Sequence, residues 1–156
     1  QDAGVVNLSL VGPDNALLRR LVQAMQARGH VLVAAVGNDG PAAPALYPAA
    51  YPGVIGVAAV DANGRVLPES GRGEHVDFAA YGLYEGTDAR GRPLRLRGTS
   101  FAAPRVARRA ALAAPLPVPG ARERALRALA TEVVDAPPAG RDRQHGEGVL
   151  RDPDDD

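Results

Sequence analysis

The sequence predicts an α/β fold built on a mostly parallel sheet flanked by helices. Three short apolar runs, residues 5–10, 31–36 and 54–60, read as strands, and the continuous run at 31–36 is of the kind buried on both faces. An amphipathic stretch of crossover length separates the first two, which makes them parallel neighbours in a right-handed unit. Two further helical stretches follow residue 98.

The first strand is bounded by Gly4 and by Gly12-Pro13. Asp14 or Asn15 caps a helix over residues 16–27, with Leu17, Leu18, Leu21, Val22 and Met25 on one face, Arg19, Arg20, Gln23 and Gln26 on another, and Gly29 as its stop. Ser9-Leu10 and Gly37-Asn38 stand at the carboxyl ends of their strands, where open α/β sheets place their sites. Residues 41–52 form a Pro/Ala-rich loop, and Asp61-Ala62-Asn63-Gly64 closes the next strand with a turn. Another strand is expected at residues 76–82 and a polar hairpin over residues 85–97. Helices are predicted from Ser100 to about Ala114, bounded by Pro115 and Pro117, and over residues 121–129. A terminal strand covers residues 145–150.

Composition narrows the function. A 156-residue chain that is 46% hydrophobic can bury one core. Its net charge of +0 carries no electrostatic footprint for nucleic acid or an anionic membrane. All 18 cations are Arg, which beside abundant Ala, Gly and Pro points to a GC-rich bacterial source. The absence of Cys excludes disulfides and thiol catalysis. No apolar run approaches a membrane span and no stretch has the form of a signal peptide. Because the chain opens at Gln1 rather than Met, further sequence is expected before it.

The chemical centre is Arg97-Gly98-Thr99-Ser100-Phe101-Ala102-Ala103-Pro104. Gly98 permits a sharp turn, Thr99 or Ser100 can cap the helix that follows, and Ala102 and Ala103 leave space beside the hydroxyl. An Oγ at a helix N-terminus lies beside free N–H groups that favour the negative charge of acyl transfer. An isolated Gly-Thr-Ser reads equally as an ordinary helix cap; its companions decide.

Gly98-Thr99-Ser100-Phe101-Ala102-Ala103-Pro104 resembles the nucleophile signature of the subtilisin-like serine peptidases, the subtilases. Residues 31–40, ending in Gly37-Asn38-Asp39-Gly40, resemble the strand and oxyanion loop of that family, and Val5-Val6-Asn7-Leu8-Ser9-Leu10 its substrate-flanking strand, in family order. Tyr47-Pro48-Ala49-Ala50-Tyr51-Pro52, Val76-Asp77-Phe78-Ala79-Ala80-Tyr81-Gly82 and His145-Gly146-Glu147-Gly148-Val149-Leu150 resemble later family segments, with Tyr81 where Pro is usual.

The resemblance implies residues 1–151 as the C-terminal portion of a three-layer subtilisin-like catalytic domain, followed by an acidic, disordered tail at 152–156. It implies Ser100 as nucleophile, Asn38 as oxyanion donor, and Ser9, Leu10, Ala35 and Gly37 lining a cleft for a polypeptide. It implies a secreted or periplasmic protein that requires no cofactor. A cis Tyr47-Pro48 bond is implied, and a weak calcium or monovalent-cation site on the carbonyls of Ala49, Tyr51 and Val54, for which a plain surface loop is the preferred reading.

Two further features depart from the family. Arg108 stands where a Gly normally allows close helix packing, so its cation must reach water, find a carboxylate or push the packing apart. The Asp-Thr-Gly-like and His-Gly-Thr-His-like segments that supply acid and base are missing, and none of His30, His75 and His145 matches the base. Those two groups are therefore expected from an N-terminal segment, a partner in the sense that it completes the site. The chain alone is expected to be inactive, and unstable where its sheet edge lies uncovered. The alternative is a non-catalytic remnant that binds peptides or a protein partner.

Overall fold

The computed structural model describes residues 3–151, so the predicted acidic tail lies outside the described residues. The elements run β1 (Val5–Leu8), α1 (Ala16–Ala27), β2 (Val31–Ala35), β3 (Ile55–Val60), β4 (Phe78–Tyr81), β5 (Leu83–Thr87), β6 (Pro93–Arg97), α2 (Thr99–Ala113), α3 (Ala121–Glu132), β7 (Val133–Val134) and β8 (Val149–Leu150). The main sheet has the order β1-β2-β3-β4-β8-β7, parallel from β1 through β8, with only β7 antiparallel. β5 and β6 form a separate antiparallel hairpin in which Tyr84 faces Leu96.

Both faces of the sheet are covered, which explains the unbroken apolar character of β2 and β3. One core cluster joins Val31, Val33, Val57 and Phe78 to Ala102, Ala103 and Val106 of α2 and to Ala125 and Leu129 of α3. The other joins Leu32, Ala34, Ala58 and Ala79 to Val22 of α1, with Leu18 and Met25 packed against it. This is the three-layer α/β architecture that the sequence predicts.

The inward face of α1 is narrower than its pattern suggests. Leu17 and Leu21 are 78% and 55% exposed, and only Leu18, Val22 and Met25 turn inward. Asn15 is the N-cap, its Oδ1 accepting the amides of Leu17 and Leu18 at 2.9 and 3.0 Å. Asp14 instead holds Arg19 and the hydroxyl of Tyr51. At the other end Gly29, at φ +88°, donates to Gln26 and His30 to Met25, which is the Schellman arrangement that stops a helix.

Several elements are shorter or longer than expected. The first strand ends at Leu8 rather than residue 10 and the terminal strand covers only Val149–Leu150, because His145 to Gly148 are taken up in a turn. α3 runs on to Glu132, three residues past its expected end. The turns at Asp61 and Asp88 share one design: the aspartate Oδ1 accepts the amides two and four residues on.

Candidate active site

α2 begins at Thr99 and its N-cap is Gly98, which makes no side-chain cap bond. Neither Thr99 nor Ser100 therefore serves as the cap. The reason is that the Thr99 hydroxyl is committed elsewhere. It accepts the amide of Gly37 at 3.2 Å and donates to Asn38 Oδ1 at 3.2 Å, while the Thr99 amide donates to the same Oδ1 at 2.9 Å. With its oxygen bonded twice by Thr99, the Asn38 carboxamide is oriented, and its Nδ2 makes no hydrogen bond among the described residues.

Gly98 makes this approach feasible. Its backbone lies at φ 141°, ψ 172°, and a Cβ there would stand 2.9 Å from Asn38 Oδ1 and 3.0 Å from Nδ2. Its amide donates to Gly82 O at 2.8 Å, which ties the start of α2 to the end of β4.

Pro104 lies within α2 and has no N–H to give to the carbonyl four residues back, that of Ser100. The Ser9 hydroxyl fills that gap, donating to Ser100 O at 3.0 Å, and accepts Asn7 Nδ2 at 2.9 Å. The segment after β1, the loop after β2 and the start of α2 thus converge on one point. Ser100 is partly exposed there, in the first turn, where its own N–H has no intrahelical acceptor and the helix dipole is positive. A hydroxyl, an oriented carboxamide and a helix-terminal amide thus lie on neighbouring segments, groups of the kind that acyl transfer uses.

The other predicted residues fall around this point. Leu10 is 53% exposed and Gly37 is buried. Ala35 is 1% exposed and belongs to the core cluster beneath α2, so only its backbone can face a groove. Arg108 is exposed, and the packing face of α2 consists of Ala102, Ala103, Val106, Ala107 and Ala110, so this cation does not push the helix from the sheet.

Sequence reasoning missed Glu69, whose Oε1 lies 2.7 Å from Arg97 Nε and whose carbonyl accepts the Gly40 amide. That pair ties the end of the hairpin to the loop carrying Asn38, and no local pattern announces it. The stack of Tyr84 on Phe101, 5.8 Å between centroids, also depends on the hairpin's path.

The histidines stand apart. His30 bonds Ala3 O at the amino end of β2, the end opposite Asn38. His75 and Gly146 crowd the amino ends of β3 and β4, where a Cβ on Gly56 or Gly146 would strike the carbonyls of His75 and Asp77. Burial pushes the His75 imidazole below its ordinary value, a trend that Asp77 opposes and Arg143 reinforces. His145 is buried with its Nδ1 3.1 Å from Asp142 Oδ2. Burial alone would raise the Asp142 carboxyl, but the amides of Gln144 and His145 and the His145 ring outweigh it and hold the group low.

The Tyr47–Pro48 peptide is cis. In the loop beyond it Ala49, Tyr51 and Val54 are buried, and the Tyr51 carbonyl already accepts the Val54 amide at 3.1 Å. A cation there would meet carbonyls alone, one of them already bonded, which is a weak fit. Among the described residues no group of His, Asp or Glu is placed to hold a metal, and no helix is long and apolar enough to cross a membrane.

Comparison with known proteins bears on the family and the fold. The chain is 33% identical over 157 residues to the minor extracellular protease Epr of Bacillus subtilis, covering 94% of this chain and 23% of that protein. It is 41% identical over 109 residues to thermitase of Thermoactinomyces vulgaris, covering 69% of this chain and 39% of thermitase. Among solved structures, the prenylagaramide maturation protease PagA superposes with a TM-score of 0.76 at 28% identity, over 95% of this chain and 58% of that one. The chain therefore spans less than two thirds of the length of each of these relatives. The pattern of the subtilase family matches residues 1–148, and the chain belongs to the subtilase family.

Proposed function

We propose that this chain is the C-terminal portion of the catalytic domain of a secreted bacterial serine endopeptidase, with Ser100 as nucleophile and Asn38 as oxyanion donor. The observation that supports it is the bonding of Asn38 Oδ1 by the amide and hydroxyl of Thr99, the residue preceding Ser100. This fixes the Asn38 carboxamide against the residue before Ser100 before any substrate arrives.

In this reading a base removes the Ser100 Oγ proton as Oγ bonds the peptide carbonyl carbon. Asn38 Nδ2 and the Ser100 amide receive the resulting oxyanion. Collapse breaks the C–N bond, the base returns its proton to the leaving amine, and water then hydrolyses the acyl-enzyme. The base and the carboxylate that orients it are supplied by polypeptide outside these 156 residues, since His30, His75 and His145 lie elsewhere. The substrate is a polypeptide laid along the segment at Ser9 and Leu10, and along the backbone of Ala35 and Gly37, partly by strand addition. The extracellular naming of the Epr relative supports secretion.

A second reading, a subtilase-like unit that binds peptides without cleaving them, is favoured by the placement of those histidines. A fluorophosphonate probe separates the two. The chain is treated alone and in the presence of a candidate upstream polypeptide, and any adduct is mapped by mass spectrometry. Labelling of Ser100 only in the mixture is the expected result. No labelling in either sample, from protein shown to be folded, refutes the peptidase reading.

A further inference from the structure

On the face of the sheet opposite α2, a cavity of about 500 Å³ lies between the Asp61 turn, the segment after β7 and Arg151. Its apolar wall includes Val66, Ala136 and Val149, which pack on the cluster beneath α1, so it is separate from the site at Ser100. Its polar wall is cationic: Arg65, Arg72 and Arg151 all line it.

These guanidiniums differ from seven others on the protein. Arg19, Arg92, Arg95, Arg97, Arg109, Arg141 and Arg143 each hold a carboxylate. Arg65, Arg72 and Arg151 pair with no carboxylate among the described residues. Arg72 is half-buried, and its Nε is fully buried with no hydrogen-bond partner among them. A buried guanidinium N–H without an acceptor is costly, and negative charge placed in the cavity that this residue lines offsets part of that cost electrostatically, without contact to Nε itself.

The acidic side of the wall is weak. Asp135 accepts the Gly140 amide at 2.9 Å, and Asp142 lies behind His145, whose Nδ1 it holds. Among the described residues Asp135 is the one carboxylate lining the cavity, against three guanidiniums, so the lining carries a surplus of two positive charges. Asn63 and Gln144 add neutral hydrogen-bonding groups.

We propose that this cavity binds a small phosphate-bearing molecule, with Arg65, Arg72 and Arg151 as its cationic ligands. A phosphate monoester carries close to two negative charges at neutral pH and matches the surplus, whereas a single carboxylate does not. The guanidinium fork suits its oxygens in bidentate contact. The volume falls in the range of small-molecule sites, so an organic group fits beyond the phosphate against Val66 and Val149. The site does not depend on Ser100, and its test is independent of peptidase activity.

The test uses phenyl phosphate as probe and benzoate as its monoanionic counterpart, titrated into the chain by calorimetry, with the His145 ring nitrogens followed by NMR. Phenyl phosphate is expected to saturate one site and shift the His145 signals, with benzoate weaker by about tenfold or more. Arg72→Gln weakens binding about tenfold, as does the double variant Arg65→Gln/Arg151→Gln, while Arg20→Gln on α1 leaves it unchanged. Arg65 and Arg151 are exposed, so the double variant carries the test even where Arg72→Gln fails to fold. Absence of saturable binding, binding of benzoate as tightly as phenyl phosphate, or indifference to the double variant overturns the proposal.

Discussion

Replacing Gly98 with alanine tests whether the turn before Ser100 is built on glycine for two separate reasons. At φ 141°, ψ 172°, Gly98 occupies backbone space that other residues enter at a cost of about 1–3 kcal/mol. The added Cβ would stand 2.9 Å from Asn38 Oδ1, so the carboxamide must move off the Thr99 amide and hydroxyl that hold it. Each of those bonds contributes about 0.5–1.5 kcal/mol, and together with the backbone term the variant is expected to lose roughly 2–6 kcal/mol. For a chain of this size, at about 2–4 °C per kcal/mol, that corresponds to a fall in Tm of roughly 4–24 °C by calorimetry or circular dichroism. The side-chain amide signals of Asn38 should shift at the same time. Gly12 is the control: a Cβ there meets nothing within 4 Å and its φ is not in the left-handed region, so Gly12→Ala is expected to be neutral or stabilising by about 0.4–1 kcal/mol. If Gly98→Ala melts within about 2 °C of the parent and the Asn38 signals stay in place, neither the backbone argument nor the clash is correct.

Thr99→Val keeps the shape of the side chain but leaves the Gly37 amide without its acceptor, a loss of about 1–3 kcal/mol in chemical denaturation that Thr99→Ser largely restores. In a catalytically complete protein Asn38→Ala is expected to lower kcat about 10²–10³-fold with little change in KM, the magnitude being the one established for the oxyanion-hole asparagine of subtilisin itself. Stability should fall on acidification in two stages. His75 has a folded pKa below its ordinary 6.5, so it favours the folded state fully above that value and loses this contribution as pH falls through 6.5 toward the lower folded value. Asp142, held below its ordinary 3.8, contributes above that value and loses its contribution as pH falls through the folded pKa. Melting curves across this range should show the upper stage vanish in His75→Gln, and a Tm independent of pH between about 7 and 5 in the parent would count against it.

Much of this protein is local information. The crossover from β1 through α1 to β2, the double-sided burial of β2, the end of α1 at Gly29 and the hairpin before Ser100 each follow from periodicity, capping and turn chemistry within a few residues. The turn before Ser100 and the asparagine loop are legible for the same reason, because each is a short run of residue types with its own geometric demands. Distant partners are not legible in this way. That Thr99 clamps Asn38 across 61 positions, that Ser9 takes up the carbonyl Pro104 leaves open, and that Glu69 meets Arg97 depend on how the sheet stacks its carboxyl ends. The same holds for the burial of Ala35, the exposure of Leu17 and Leu21, and the harmless outward placement of Arg108. Residue types and spacing determine which segments form and what chemistry they can carry; which groups meet is decided by packing, since contact between residues far apart in sequence depends on the positions of every layer between them.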